Sequence, residues 1–191
     1  MAQLIFVTHP EVRIDPRVDV RQWSLSPAGV ERMRLFAAGD VVRNVGAIWS
    51  STETKAREAA EILAHALSLE VRADRDLGEN DRTATGFLPP IEFEKVADQF
   101  FANPEESVRG WERAVDAQRR IRCTVDRIIR GHRGGDLAIA SHGAVGTLLK
   151  CSYKEIAITR AEDQAFQGHY WTADFERLSV VTPWAALAPR I

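Results

Sequence analysis

Short apolar runs alternate with helix-like segments along this chain, and that alternation limits the possible folds more than any other feature. The runs at 3–8, 45–51 and 136–141 have the length and composition of buried strands. Between and after them, apolar residues recur at helical spacing, and Ser26-Pro27 supplies an N-cap serine followed by a first-turn proline. Strands that alternate with helices favour a mostly parallel sheet covered on both faces. We therefore predict an α/β fold, a three-layer αβα sandwich with a mostly parallel central sheet.

The length of the chain and its loops bear on domain organisation. Because 191 residues fit one domain with a sizeable core, we predict a single domain over 1–191. A long irregular stretch begins near residue 74, and loops of this length are usually functional. We predict that an insertion around 76–110 forms a cap or lid. A short strand near 70–73 and late strands near 168–175 and 178–182 complete the predicted sheet.

Composition narrows the classes of partner and the compartment. The chain is 45% hydrophobic and 27% charged with a formal net charge of −2, which gives no reason to expect nucleic acid or a membrane surface as partner. No apolar run approaches the roughly 18 residues of a membrane span, and the N-terminus does not resemble a signal peptide. Cys123 and Cys151 lack metal-ligand spacing, so we predict that both are small core residues of a reduced cytoplasmic protein. The sequence leaves open whether the chain forms a homodimer.

Polar side chains follow three of the predicted strands at the point where each strand ends. Thr8-His9 follows the first strand, Ser50-Ser51-Thr52 ends the second, and Ser141-His142-Gly143 ends the 136–141 strand. Ligands of open α/β sheets bind beyond the carboxyl ends of the strands, and helix N-termini there favour oxyanions. One histidine at a strand end is often satisfied by backbone alone. Two histidines at matching ends predict a phosphate site at this edge.

Six motifs occur in the order and spacing of a known family. They are "VTHPE" (7–11), "LSPAG" (25–29), "SSTETKAREAAEI" (50–62), "LGEN" (77–80), "PEESVRGWERAV" (104–115) and "ASHGAVGTLL" (140–149). The set resembles the histidine phosphatases, or phosphoglycerate mutase-like superfamily, whose motifs include "RHGE", "SSPLxRAxxTA", "LxE" and "SHG". The resemblance implies a phosphoglycerate mutase-like fold and a phosphatase. Its substrate would be a small phosphomonoester or a phosphorylated side chain of a protein.

The resemblance also implies catalytic roles for three residues. His9 would be the nucleophile that attacks phosphorus and is transiently phosphorylated. Glu79 would protonate the leaving alkoxide and then activate water, for which its pKa should be raised by burial or neighbours. His142, protonated or as a neutral donor, would steady the phosphoryl oxygens. No metal and no cofactor is implied.

The chain departs from the family pattern where phosphate would be held. Thr8 and Lys55 stand where the family has arginines, and Pro10 replaces a glycine. Losing one charge-assisted contact costs about 1.5–3 kcal/mol, so two losses could leave a poor enzyme. Arg17 and Arg21 are further candidates to restore charge, on the loop after His9. The predicted phosphate-binding residues are Thr8, Lys55, Ser51, Arg13 and Arg82.

Three functions follow from this pattern. The first is a metal-independent phosphatase that uses His9. The second is a catalytically weak or inactive module of the same fold that binds phosphate esters, which the two missing arginines favour. A phosphomutase ranks third, because holding a bisphosphate intermediate demands more cations than this pocket offers.

Overall fold

The computed structural model describes residues 2–190 and contains one six-stranded sheet in the order β3-β2-β4-β1-β5-β6. The first four strands along the chain run parallel to one another, whereas β5 is antiparallel to β1 and β6 is antiparallel to β5. This mixed sheet confirms the predicted α/β class. The strands are β1 (Gln3–Thr8), β2 (Val45–Ser50), β3 (Val71–Ala73), β4 (Asp136–Ser141), β5 (His169–Asp174) and β6 (Val180–Ala186).

Residues 2–190 form five α-helices, and the start of the first follows a local sequence signal. The Ser26 side chain accepts from the Gly29 N–H at 3.1 Å, and Pro27 occupies the first helical position as predicted. Trp111 is buried but lies before the longest helix, because Arg109 and Gly110 turn the chain with positive φ. The helices are α1 (Pro27–Ala37), α2 (Thr54–Leu67), α3 (Pro90–Ala102), α4 (Ala114–Gly131) and α5 (Gly143–Tyr153).

The apolar residues of the central strands point alternately to two cores, one on each side of the sheet. In β1, Leu4 and Phe6 join the core that α4 and α5 cover, while Ile5 and Val7 join the core under α1 and α2. Both faces of β1 are buried, as expected for a strand in the middle of a layered fold. Because helices cover a core on each face of the sheet, the predicted three-layer αβα sandwich is confirmed.

Only one of the two cysteines is buried as predicted. Cys151 is buried in α5, but Cys123 is exposed, so its assignment to the core was wrong. Cys123 lies two residues after the buried Ile121, about 200° around α4, and therefore on its solvent face. Among residues 2–190, no helix is both long enough and apolar enough to cross a membrane.

Strand register brings the predicted polar groups together. Thr8 of β1 pairs with Ser141 of β4, and Ser50 of β2 pairs with Ala140 of the same strand. The ends of three parallel strands, and the starts of α2 and α5, therefore meet at one edge of the sheet. The 76–110 segment contributes α3, whose buried residues pack into the core beneath α4 and α5.

Candidate active site

His9 follows β1 directly and lines a cavity of about 270 Å³. Its Nδ1 lies 2.9 Å from the Pro10 carbonyl oxygen, which can only accept, so Nδ1 carries the hydrogen. Burial, helped by nearby His142 and Lys55, lowers the pKa of His9 well below its usual 6.5. The ring is therefore neutral at neutral pH, and Nε2 keeps the lone pair that a nucleophile needs.

His142 packs edge-on against His9, with ring centroids 5.3 Å apart. Its Nε2 lies 2.7 Å from Ser51 Oγ and 3.4 Å from Glu53 Oε1, while Nδ1 has no hydrogen-bond partner within 2–190. Burial lowers the pKa of His142 to about 3, although Glu53 opposes the shift. Of the two forms expected, the neutral one fits this site. Ser51, predicted to bind phosphate, contacts His142 instead.

Glu79 lies against the N-terminus of α5. Its carboxylate accepts from the backbone N–H groups of Asn80 at 3.1 Å, Val145 at 3.1 Å and Ala144 at 3.3 Å. Burial raises the pKa of Glu79, and the charge of Glu53 adds to this while Arg82 opposes it. A carboxyl group with a raised pKa on the wall of the His9 cavity is suited to donate a proton.

Lys55 is buried at the start of α2 and is already paired. Its Nζ donates to the Val20 carbonyl oxygen at 2.8 Å and to Glu53 Oε2 at 2.5 Å. Burial opposes the charged form of Glu53, but His142, Lys55 and the Glu79 N–H hold the pKa of Glu53 well below its usual value. A permanent negative charge therefore lies beside the cation expected to hold phosphate.

Sequence analysis missed Glu53, and a signal for it was present. Glu53 occupies the position of leucine in the family motif "SSPLxR" quoted above. An acidic residue at a position that is apolar in the pattern, two residues from a buried lysine, needs a charged partner. The pairing of Glu53 with Lys55 is therefore predictable from the motif, whereas the contacts of Glu53 with His142 and Glu79 are not.

Thr8 is fully buried and its hydroxyl is already engaged. Oγ1 lies 2.6 Å from Gln164 Oε1, to which it donates, and it accepts from the His169 N–H at 3.0 Å. The predicted contact between Thr8 and phosphate would have to compete with Gln164 for the single hydroxyl hydrogen. Gln164 itself lines the His9 cavity and was not predicted.

The predicted arginines separate into two groups. Arg82 lines the His9 cavity, with its guanidinium carbon 4.9 Å from the centroid of the Phe93 ring. Arg13 lines a different groove, between α1 and α2, so its assignment to the phosphate pocket is corrected. Val12 forms an isolated bridge with Leu25 and lines the His9 cavity. Because successive side chains of an extended segment point to opposite sides, the side chain of Arg13 points away from that cavity.

A wider cavity of about 640 Å³ adjoins the first and shares Val20, Glu79, Asn80 and Arg82 with it. Arg17 and Arg21 lie on its wall, each exposed and paired with a neighbouring aspartate. Arg120, which was not predicted, reaches from α4 and donates to the Gly78 and Glu79 carbonyl oxygens. It therefore holds the loop that carries Glu79.

Helix α3 forms part of the wall of the smaller cavity through Phe93, Phe100 and Phe101. Arg160, which also lines this cavity, forms ion pairs with Glu94 and Asp98 of α3. Within residues 2–190, no group of three or more histidine, cysteine or acidic side chains is arranged to hold a metal ion.

Comparisons with known proteins agree with this geometry. The family model for the histidine phosphatase superfamily (branch 1) matches residues 8–172. A sequence comparison with curated proteins found no significant match.

Solved structures share the fold at low sequence identity. The mycobacterial glucosyl-3-phosphoglycerate phosphatase Rv2419c with inorganic phosphate has a TM-score of 0.80 at 18% identity, covering 98% of this chain and 99% of that one. Bacillus stearothermophilus YhfR has a TM-score of 0.78 at 21% identity, covering 95% of each chain. Phosphoserine phosphatase from Entamoeba histolytica, complexed with 3-phosphoglyceric acid, has a TM-score of 0.75 at 18% identity, covering 97% and 98%. At these identities the likeness shows the fold.

Proposed function

The chain belongs to the histidine phosphatase superfamily, branch 1, and from this premise we propose that it is a phosphatase that uses a phosphohistidine intermediate on His9. The substrate would be a phosphomonoester or a phosphorylated side chain. The observation that carries the proposal is the His9–Pro10 hydrogen bond, which fixes the hydrogen on Nδ1 and leaves Nε2 free to attack.

The proposed reaction has two steps. His9 Nε2 attacks phosphorus, the ester P–O bond breaks, and Glu79 gives its proton to the leaving alkoxide. Glu79, now a carboxylate, takes a proton from water, whose oxygen attacks the phosphohistidine. The P–N bond breaks, inorganic phosphate leaves, and both His9 and Glu79 return to their starting forms.

Three groups would stabilise the transferring phosphoryl group. Lys55 and Arg82 supply positive charge. In the tautomer in which Ser51 donates to His142 Nε2, the other ring nitrogen carries a hydrogen that a phosphoryl oxygen beside His9 could accept. This donor would not depend on protonation of His142, since the pKa of His142 is lowered to about 3 by burial.

The proposal is tested by phosphate release from a panel of phosphomonoesters. The first esters follow from the names of the structural neighbours: 3-phosphoglycerate, a glucosylated derivative of it, and phosphoserine. We expect wild-type turnover, its loss in His9→Ala, and phosphohistidine in samples quenched in alkali, where the P–N bond survives. His65→Ala, an exposed histidine on α2, is the control and should retain full activity. Full activity in His9→Ala would refute the mechanism.

The alternative is a module that binds phosphate esters with little turnover, and one observation favours it. Glu53 pairs with Lys55 and so reduces the charge available to a phosphate. Binding of inorganic phosphate by a wild type that hydrolyses no ester in the panel would support this alternative. Formation of phosphohistidine at a rate matching turnover would contradict it.

A further inference from the structure

Asn80 is a buried polar residue whose side chain has no visible function within the fold. Only 3% of its surface is exposed, and its side-chain Nδ2 makes no hydrogen bond within residues 2–190. Leaving a buried amide unpaired is costly, and such groups in native proteins call for an explanation. A ligand group that pairs with the amide would remove this cost.

The position of Asn80 indicates which part of a ligand it would meet. Asn80 lines both cavities, so it lies on the wall that the His9 cavity and the wider cavity share. Its own backbone N–H donates to the Glu79 carboxylate at 3.1 Å. Because Glu79 is the proposed donor to the ester oxygen, Asn80 lies on the side of the alcohol portion that leaves.

The wider cavity restricts the chemistry of that portion. Its wall carries charges of both signs, including Arg21, Arg120 and Asp76. A hydrocarbon body would displace water from these groups without replacing their hydrogen bonds, which is costly. A body with hydroxyl or carboxylate groups would replace them.

We propose that Asn80 determines specificity: its side-chain amide binds an oxygen on the alcohol portion of the substrate, which extends from His9 into the wider cavity. The substrate class is therefore phosphomonoesters of small polar alcohols that carry a hydroxyl or carboxylate group near the ester oxygen. This inference rests on the proposed phosphatase function, because it takes His9 as the site of the phosphoryl group.

The test uses two esters of the same carbon skeleton, glycerol 1-phosphate and propyl phosphate. Wild type should prefer glycerol 1-phosphate in kcat/KM, and Asn80→Leu and Asn80→Ala should lower kcat/KM for that ester about 5- to 30-fold. For propyl phosphate, which has no second oxygen, both variants should stay within about twofold of wild type. Asn44→Ala, an exposed asparagine at the opposite end of the sheet, should change neither value.

A binding measurement separates this inference from the proposed reaction. Calorimetric dissociation constants for both esters are measured on His9→Ala and on His9→Ala combined with Asn80→Leu or Asn80→Ala, so no turnover is required. Loss of preference for glycerol 1-phosphate in both double variants would support the inference even if wild type hydrolyses nothing. An unchanged preference, or binding of neither ester by His9→Ala, would overturn it. A lower melting temperature without a change in preference would show that the amide is satisfied by water alone, which also overturns it.

Discussion

At the scale of single residues, Glu53 connects the groups that the proposed chemistry needs. Its carboxylate accepts from Lys55 Nζ and from the Glu79 N–H, and it lies 3.4 Å from His142 Nε2. A negative charge in a phosphate pocket opposes anion binding. The same charge helps keep Glu79 protonated, because it raises the pKa of that acid. Glu53 therefore weakens phosphate binding but favours the protonated form of Glu79.

Glu53→Gln removes that charge and should shift the pH dependence of kcat/KM. His9 must be neutral, so activity falls as pH drops through the pKa of His9, which Glu53 raises. Glu79 must be protonated, so activity falls as pH rises through the pKa of Glu79, which Glu53 also raises. Without Glu53 both pKa values fall, and both limbs of the profile should move toward acid.

The control for this prediction is Glu61→Gln on the same helix. Glu61 is exposed and, among residues 2–190, pairs only with Arg57 at the surface, so its removal should leave the profile in place. A profile that does not move in Glu53→Gln would mean that Glu53 acts on Lys55 alone.

Residue identity predicted some of this site and not the rest. His9 and His142 could be chosen from the sequence because each follows a strand end, and Glu79 because its motif "LGEN" resembles the "LxE" of the family. The direction of Arg13 could not, since it depends on an isolated bridge between Val12 and Leu25. The engagement of Thr8 by Gln164 joins residues 156 positions apart, and no local pattern encodes such a contact.

At the scale of elements, helix starts that follow strands were predictable and the path of the 76–110 insertion was not. The Ser26 cap and the turn after β4 are local signals. The packing of α3 over the His9 cavity instead depends on distant partners, among them Arg160, which pairs with Glu94 and Asp98. We propose that these pairs hold α3 as the lid that the sequence suggested.

Arg160→Gln should loosen α3 while barely changing global stability. Its partners are exposed, so the pairs contribute about 0.5 kcal/mol after screening by solvent. Amide hydrogen exchange across α3 should speed up about two- to fivefold, and added salt should produce a similar change in wild type. Arg57→Gln, which breaks an exposed pair on α2, is the control and should leave α3 unchanged. Unchanged exchange in Arg160→Gln would show that apolar packing alone holds α3.

At the scale of the whole molecule, Arg32 joins parts of the chain that are far apart in sequence. It is fully buried in α1 and pairs with Glu11 at 2.8 Å. Its other donors reach the carbonyl oxygens of Gln167, Gly168 and Ala188. One side chain thus binds the loop after His9 to the segments on both sides of the antiparallel hairpin. The sequence placed Arg32 on a helix but gave no sign of these partners.

Arg32→Met should therefore destabilise the protein strongly. Methionine preserves the length and much of the volume of the side chain, but it removes the guanidinium donor of the Gln167 and Ala188 carbonyl oxygens and of the partly buried Glu11 carboxylate. The Gly168 carbonyl oxygen loses one of its two donors and keeps the Leu187 N–H. Breaking a buried pair by removing one partner costs about 3–5 kcal/mol. Urea denaturation followed by circular dichroism measures the loss as a lower transition midpoint at constant slope.

Arg34→Met is the matched control, because it makes the same substitution two residues along the same helix at an exposed position. Arg34 reaches Glu31 only at 3.8 Å, so the free energy of unfolding should change by no more than about 0.5 kcal/mol. A loss of equal size in both variants would mean that α1 tolerates methionine poorly, whatever its contacts. A loss confined to Arg32→Met would show that a single buried guanidinium holds the His9 loop against the last hairpin of the sheet.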